Sequence, residues 1–156
     1  LRRAPASEEV AITGGAPRSE GIRAMEAVRY PMRLDAQWLP ILALFGGTPS
    51  RSFAEVTQDF VRIKFGPLFD ESIPYGMIAH ASPATWSVLG GIGWRVGRGK
   101  TIGLIGSLKN NVELRLREPI RVRFLFFPKR CERIVVSLRD PRRFLERLGD
   151  APANGT

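Results

Sequence analysis

The sequence has very few of the residues that build disulfide frameworks and metal centres. It contains one cysteine, Cys131, and one histidine, His80, in 156 residues. A lone cysteine excludes an internal disulfide, and one histidine without a cysteine cluster offers too few ligands for a zinc-type site. We therefore predict no metal and no cofactor, and the cysteine content suits a reducing compartment.

Long apolar runs are also missing. The longest covers residues 38–45 and is interrupted by Pro40. A membrane-spanning helix needs roughly 20 apolar residues, so this run is predicted to be a segment of the core. The first residues lack the apolar centre of a secretory signal. We expect a cytoplasmic protein, with peripheral attachment to a membrane as the alternative.

Lysine is scarce and positive charge is unevenly placed. The 24 basic residues comprise 20 Arg and 4 Lys, a ratio typical of high-GC bacterial genomes. Residues 92–148 carry 15 basic and 5 acidic side chains, whereas the rest of the chain carries 9 and 10. The net charge of +9 therefore belongs to the second part of the chain. Such asymmetry attracts anionic partners, although it also serves solubility alone.

Turn-forming residues are abundant, and bulky apolar residues are rare at both ends. The 16 Gly and 12 Pro favour short strands joined by turns over long helices. Residues 1–27 and 149–156 show no sustained hydrophobic period, and we predict that both are disordered tails. The sequence thus predicts one domain over residues 28–148.

Apolar residues alternate with charged residues in several segments, as in half-buried strands. The pattern is clearest at 61–65, 112–116 and 120–126, where it places Phe126 with the core and Leu125 and Phe127 on the outer face. Further strands are predicted at 28–34, 38–45, 68–73, 86–89, 101–105 and 133–138. We predict a hairpin over 90–105, a helical turn within 75–84 and a chain reversal at 128–130.

One helix is predicted near the end of the chain. Asp140 stands at the N-cap position, Pro141 at the first helical position, and Gly149 just beyond the end. Three apolar residues share one face of this helix: Phe144, Leu145 and Leu148. Because a helix of about eight residues is unstable alone, this face must dock on the sheet, with Phe144 as a plug.

Local phrases along the chain resemble those of uncharacterised bacterial proteins with a pleckstrin-homology-like (PH-like) domain. The phrases are Phe65-Gly66, Ile73-Pro74, and a closing element from Ser137 through Asp140-Pro141 to Phe144-Leu145. The resemblance implies a mainly β fold, a barrel of about seven antiparallel strands capped by one C-terminal α-helix. It also implies a non-enzymatic binding platform.

PH-like domains that bind lipid place Lys and Arg on their first two strands. This chain instead offers only Arg29 and Arg33 there, with Asp35 nearby, and its basic residues come late. Strand alternation places Arg115, Arg121 and Arg123 on the side away from the core. The predicted binding face is therefore Arg115, Arg117, Arg121, Arg123, Lys129, Arg130 and Arg133.

The partner expected at this face is a protein, including a second copy of the chain, or an anionic membrane surface. Nucleic acid is not expected, because few aromatic residues interleave with the basic ones. The alternative function is a small-ligand-binding or enzymatic β-barrel with a pocket lined by Trp86, Trp94 and phenylalanines.

No catalytic residue can be assigned. Residues 93–101 approach a phosphate-binding loop, but Trp94 stands where the motif requires its first glycine, and we predict a hairpin turn. Cys131 lies between Arg130 and Arg133, where nearby positive charge would lower a thiol pKa. The choice between a reactive thiol and an unreactive cysteine is open at this point.

Overall fold

The computed structural model describes residues 26–150. The predicted tails, 1–27 and 149–156, lie outside the described residues except for 26–27 and 149–150. The described strands are β1 Val28–Pro31, β2 Ser52–Val56, β3 Phe60–Phe65, β4 Asp70–Pro74, β5 Ile78–Ala84, β6 Gly93–Gly97, β7 Thr101–Ile105, β8 Asn111–Phe124 and β9 Phe127–Ser137. The helices are α1 Leu39–Leu44 and α2 Pro141–Gly149, with 3₁₀ turns at Pro49–Arg51, Tyr75–Met77 and Val88–Gly90.

The first sheet joins four strands in the order β1-β2-β3-β4, all antiparallel. In β3, Val61, Ile63 and Phe65 are fully buried, whereas Arg62 and Lys64 between them are partly exposed. This is the period-2 burial that the alternating sequence predicts. The first sheet therefore covers the core with one face and meets solvent with the other.

The second sheet joins five strands in the order β5-β8-β9-β7-β6. Three of its four strand pairings are antiparallel, but β7 pairs with β9 in parallel, with Thr101 opposite Arg133. The parallel pair arises because β8 reverses the chain and β9 reverses it again, which returns β9 to the direction of β7. The expectation of antiparallel strands throughout is wrong at this position.

The mainly β fold with a C-terminal helix is confirmed, but the described residues form nine strands rather than about seven, and these strands lie in two sheets rather than in one closed barrel. Residues 112–116 and 120–126 were expected to form two strands. They belong to one long strand, β8, whose pairing register with β9 shifts between Arg115 and Ile120. The chain reverses at residues 125–126 and not at 128–130, which lie within β9.

Two segments expected to be extended are helical. Residues 38–45 contain α1, and residues 86–89 overlap the 3₁₀ turn Val88–Gly90. A short apolar run has no periodicity that separates a buried strand from a helix. Helical geometry lets the first of these segments bury Leu42 while Gly46, at φ 80°, packs against Pro67.

Helix α2 begins as the sequence predicts. The Asp140 carboxylate accepts a hydrogen bond from the backbone N–H of Arg143 at 3.1 Å, and Pro141 occupies the first turn. Phe144 is fully buried and meets the ring of Tyr30 edge-on, with 5.5 Å between ring centroids. Gly149, expected just past the helix, is its last residue.

One hydrophobic cluster unites the two sheets and both helices. It includes Ile63 from the first sheet, Ile134 from the second, Leu42 from α1 and Phe144 from α2. An isolated bridge between Met32 and Leu138 also links the sheets. Within residues 26–150, no helix has the length and apolar character that a membrane crossing requires.

Candidate functional site

The long hairpin of β8 and β9 carries the basic residues predicted to form a binding face. Arg115 lies directly opposite Arg133, and Arg121 lies directly opposite Arg130. Residues that face each other across an antiparallel pair share one side of the sheet. All four side chains are exposed. Arg123, two positions along β8 from Arg121, is exposed on the same side as Arg121 and Arg130.

Two of the predicted residues lie elsewhere. Lys129 is opposite Val122, whose side chain is buried, so Lys129 projects from the other side of the hairpin. Arg117 is exposed within the irregular stretch of β8 where the register shifts. We call the full set the cation surface: Arg115, Arg117, Arg121, Arg123, Lys129, Arg130 and Arg133.

Few ion pairs compensate the cation surface, although the Glu71 carboxylate accepts a hydrogen bond from the backbone N–H of Arg123 at 2.7 Å. Among the residues that the structure describes, only Arg115 of this set forms an ion pair, with Glu113 at 3.4 Å. The nearest similar pair, Lys100 with Glu132 at 2.7 Å, uses a lysine outside the set. Like charges placed directly opposite each other weaken strand pairing. The opposed arginines therefore weaken the pairing between β8 and β9.

The turn of this hairpin is apolar. Phe124 and Phe127 pair across the strands, and Leu125 and Phe126 form the two-residue connection. Two-residue hairpin turns normally contain Gly, Asn or Asp, which tolerate positive φ. Here Leu125 adopts φ 57° and donates its backbone N–H to the carbonyl of Leu68 at 3.0 Å. The turn therefore carries large side chains where turn chemistry favours small or polar ones.

Both aromatic residues at the turn face solvent. Phe126 is 73% exposed and Phe127 is 66% exposed. The sequence pattern placed Phe126 in the core, which is wrong because the strand ends at Phe124. It also placed Phe127 with the arginines, whereas pairing with Phe124 sets it on the opposite side. The hairpin therefore ends in two exposed phenylalanines.

Helix α1 presents a second exposed apolar surface. No charged side chain occurs between Asp35 and Arg51, and the helix itself reads Leu-Pro-Ile-Leu-Ala-Leu. Leu42 is buried, but Ile41 and Phe45 are more than half exposed and Leu44 is 80% exposed. A surface helix normally has a polar outer face. This one is apolar on its outer face also.

A concavity of about 260 Å³ lies between α1 and the hairpin turn. Its lining includes Ile41 and Phe45 on one side, Leu125 on the other, and Trp94 and Arg95 of β6. The Trp94 indole donates to the carbonyl of Phe65 at 2.9 Å, which fixes the ring. We call the exposed apolar residues of the α1 segment and of the hairpin turn the apolar patch: Ile41, Leu44, Phe45, Phe126 and Phe127.

The aromatic pocket expected from the sequence is only partly assembled. Trp94 and Phe45 meet at the concavity, with ring centroids 6.1 Å apart. Trp86 is not among the lining residues; its indole donates to the carbonyl of Gly91 at 2.9 Å, and its ring lies over Gly103. A Cβ on Gly103 would approach that ring to 2.5 Å, so glycine is required there.

The remaining chemical candidates have structural roles. Cys131 is buried and donates its thiol to the carbonyl of Arg133 at 3.2 Å. Burial raises the pKa of Cys131 to about 11, so the idea of a lowered thiol pKa is wrong. Residues 93–101 form the predicted hairpin, with Gly99 and Lys100 at positive φ in its turn.

No three potential ligands among His, Cys, Asp and Glu gather as a metal site within residues 26–150. Comparisons of the chain with protein-family models, with curated proteins and with solved structures found no match. Sequence reasoning found the basic residues of this hairpin but missed the exposed side of α1. The sequence contains one signal of this exposed side, because no polar residue occurs between Trp38 and Gly47. A buried strand would show the same pattern, so the signal does not identify an exposed helix.

Proposed function

We propose that the protein is a non-enzymatic binding module of the PH-like kind, whose cation surface meets a negatively charged partner. The observation that carries this proposal is the direct opposition of Arg115 with Arg133 and of Arg121 with Arg130. No carboxylate within the described residues bridges either pair. A partner that supplies anionic groups would relieve the repulsion within both pairs.

The spacing of the arginines suits an array of anionic groups. Directly opposed residues lie about 5 Å apart, and alternate residues of one strand lie roughly 7 Å apart. Guanidinium groups bind carboxylates and phosphates in a bidentate manner, so each opposed pair can engage more than one anion. This arrangement favours a partner with a charged surface over a partner with a single charged group.

The PH-like assignment is part of the same proposal. Two sheets of mostly antiparallel strands closed by one C-terminal helix support it, as does the buried plug formed by Phe144. The capped start of that helix at Asp140-Pro141 supports it also. This proposal fits a location in the cytoplasm, at the surface of a membrane.

The test uses two double variants with equal net charge. Arg121→Gln with Arg130→Gln removes one opposed pair, and Arg139→Gln with Arg142→Gln removes two exposed arginines outside the cation surface. The probe is polyglutamate, a soluble polyanion, in a binding titration at several salt concentrations. We expect the first variant to bind at least about tenfold more weakly with a shallower salt dependence, and the second to resemble the wild type.

Equal weakening by the two variants would contradict the proposal, because binding would then report net charge alone. Thermal melts of both variants serve as the control for folding. All four arginines are exposed, so neither variant should melt at a lower temperature than the wild type by more than a few degrees.

The alternative function, a small-ligand site, has one observation in its favour. The concavity beside Trp94 is largely apolar and includes one charged side chain, Arg95. Its volume of about 260 Å³ is below the range of about 300–1,000 Å³ usual for ligand pockets. The Arg95 guanidinium also donates to the carbonyl of Ile92 at 2.8 Å. The cation surface therefore provides the stronger basis for function.

A further inference from the structure

We propose that the negatively charged partner is the surface of an anionic lipid bilayer, and that the apolar patch enters its interfacial layer. This inference rests on the proposed function and names the partner of the same surface. It is carried by the juxtaposition of exposed apolar side chains at the hairpin turn and α1 with the basic residues nearest that turn.

The basic residues nearest the turn bracket the two exposed phenylalanines. Arg123 and Lys129 lie within three residues of Phe126, a distance of at most about 10 Å along an extended strand. Arg121 and Arg130 lie four to five residues away, or about 13–17 Å. Lys129 projects from one side of the hairpin and the arginines from the other. Cations therefore flank the phenylalanines on both sides.

Residues from distant parts of the chain meet beside the apolar patch. Ile41 and Phe45 of α1 and Leu125 of the hairpin turn line one concavity. Exposed aromatic and aliphatic side chains of this kind favour the interface between headgroups and acyl chains. A surface that combines such residues with Lys and Arg binds anionic membranes by two additive contributions.

Charge complementarity favours a bilayer over a second copy of the chain. No acidic residue occurs between Asp35 and Glu55 or between Glu118 and Glu132, the two segments that contain the patch and its neighbouring cations. A second copy would present the same positive charge and be repelled. In a bilayer, an anionic headgroup layer covers an apolar interior. The cations beside the turn would meet the headgroups while the phenylalanines at the turn reach the apolar layer.

Distance from the turn separates a bilayer from an acidic protein. Arg133 lies seven residues from Phe126, and Arg115 lies directly opposite Arg133, so this pair is about 20–23 Å from the turn. At physiological salt, charges interact over only about 8 Å. A bilayer reached by the hairpin turn would engage Arg121, Arg123, Lys129 and Arg130, whereas an acidic protein covering the cation surface would engage Arg115 and Arg133 equally.

The experiment is vesicle co-sedimentation of the full chain. The vesicles contain either phosphatidylcholine alone or phosphatidylcholine with about 30% phosphatidylserine, which is anionic. Three variants are compared with the wild type: F126S/F127S, R121Q/R130Q and the matched distant pair R115Q/R133Q. The two arginine variants have the same net charge, so only the position of the lost charge differs.

We expect wild-type binding to require phosphatidylserine. Loss of Arg121 and Arg130 should weaken partitioning about thirtyfold, since each basic residue near the surface contributes about a fivefold factor. F126S/F127S should weaken it at least about tenfold. R115Q/R133Q should change it by less than about threefold. Because all six side chains are exposed, melting temperatures near that of the wild type exclude misfolding as the cause.

Tryptophan fluorescence provides a second readout. Trp94 lies in the concavity beside the hairpin turn, so lipids with brominated acyl chains should quench its emission in the wild type. The quenching should be lost in F126S/F127S. A folded variant that binds phosphatidylserine vesicles and is quenched as strongly as the wild type would overturn the proposal.

The outcomes separate this inference from the proposed function. Unchanged vesicle binding in F126S/F127S, with equal losses in both arginine variants, would identify a general anionic partner and overturn the bilayer proposal alone. Absence of vesicle binding with retained, site-dependent polyglutamate binding would do the same. A dimer by light scattering that F126S/F127S dissociates would assign the patch to self-association and also overturn it. If polyglutamate does not distinguish R121Q/R130Q from R139Q/R142Q, and vesicles do not distinguish it from R115Q/R133Q, both proposals fail.

Discussion

The two sheets of this protein treat charged side chains in opposite ways. In the first sheet, Arg29 lies opposite Glu55 at 2.7 Å, and Lys64 lies opposite Asp70 at 3.5 Å. Arg62 forms two hydrogen bonds of 2.7 Å to the Asp70 carboxylate. In the second sheet, the corresponding cross-strand positions on β8 and β9 hold arginine against arginine.

Under the proposed function, this difference separates charge that serves the fold from charge that serves a partner. Opposite charges across strands support a particular register, as in the first sheet. Buried residues such as Ile63 in the first sheet and Leu114 and Ile134 in the second already fix the register of each sheet, so the outer face of the second sheet does not need ion pairs. The arginines of that face are thus available to another molecule.

The largest expected effect comes from truncating Phe144, a residue of the helix that packs against both sheets. Phe144 is fully buried, contacts Tyr30 of the first sheet and belongs to a helix that also packs against β5 of the second. Phe144→Ala should lower the free energy of unfolding by about 3–5 kcal/mol, measured by urea denaturation. Phe126→Ala, an exposed control, should change it by less than about 0.5 kcal/mol. Similar losses in the two variants would contradict the description of the core.

The second effect contrasts two residues of β9. Arg133 is exposed, yet Cys131 two positions earlier is fully buried, and its pKa is raised to about 11 from an ordinary value of 9.0. Two pKa units lower the thiolate fraction at pH 8 about 100-fold. A thiol-reactive disulfide reagent should therefore modify the folded protein at least about 100-fold more slowly than the unfolded protein. Equal rates would show that Cys131 is accessible and ionised.

A smaller effect tests the compensated charges of the first sheet. A hydrogen bond from Arg62 holds the pKa of Asp70 below its usual range. Because the folded pKa is lower than the unfolded one, the stabilisation is present above about pH 4 and is lost as the pH falls through the folded pKa. Asp70→Asn should cost about 0.5–1 kcal/mol at pH 7, since the pair is partly exposed, and progressively less as the pH falls below about 4.

The comparison can be checked against pH in urea titrations of the wild type and Asp70→Asn. A difference in unfolding free energy that stays constant from pH 7 to pH 2 would contradict the assignment. Such a result would mean that Asp70 stabilises β4 without its charge.

Local patterns predicted those parts of the fold that depend on neighbours in sequence. The alternation of Val61, Ile63 and Phe65 predicts β3, and the pair Asp140-Pro141 predicts the start of α2. Both signals act within one element, through strand pleating or through the unsatisfied N–H groups of a helix terminus. In both elements the local preference and the tertiary structure agree.

Features set by distant partners could not be read from the sequence. The parallel pairing of β7 with β9 depends on the path of β8 between them. Helix α1 depends on the close approach of Gly46 and Gly66, where a Cβ on Gly66 would meet the Gly46 carbonyl at 2.7 Å. Apolar composition alone does not distinguish such a helix from a buried strand.

The sequence predicted which residues of the candidate site are exposed, but not on which side of the hairpin each of them lies. Alternation identified Arg121 and Arg123 as outward-facing residues, and the structure shows both exposed. The positions of Lys129 and Phe127 follow from the turn at Leu125 and Phe126, which has none of the glycine or asparagine that marks a hairpin turn in a sequence. One shifted turn moves every following side chain to the other side.

The most direct test of the central claim measures stability and binding in a single variant. Arg130→Glu converts an opposed pair of like charges with Arg121 into a pair of opposite charges, as in the first sheet. We predict that the free energy of unfolding rises by about 0.2–1 kcal/mol while affinity for polyglutamate falls at least about tenfold. A variant that is less stable, or that binds polyglutamate as tightly as the wild type, would contradict the claim that these arginines are kept for a partner.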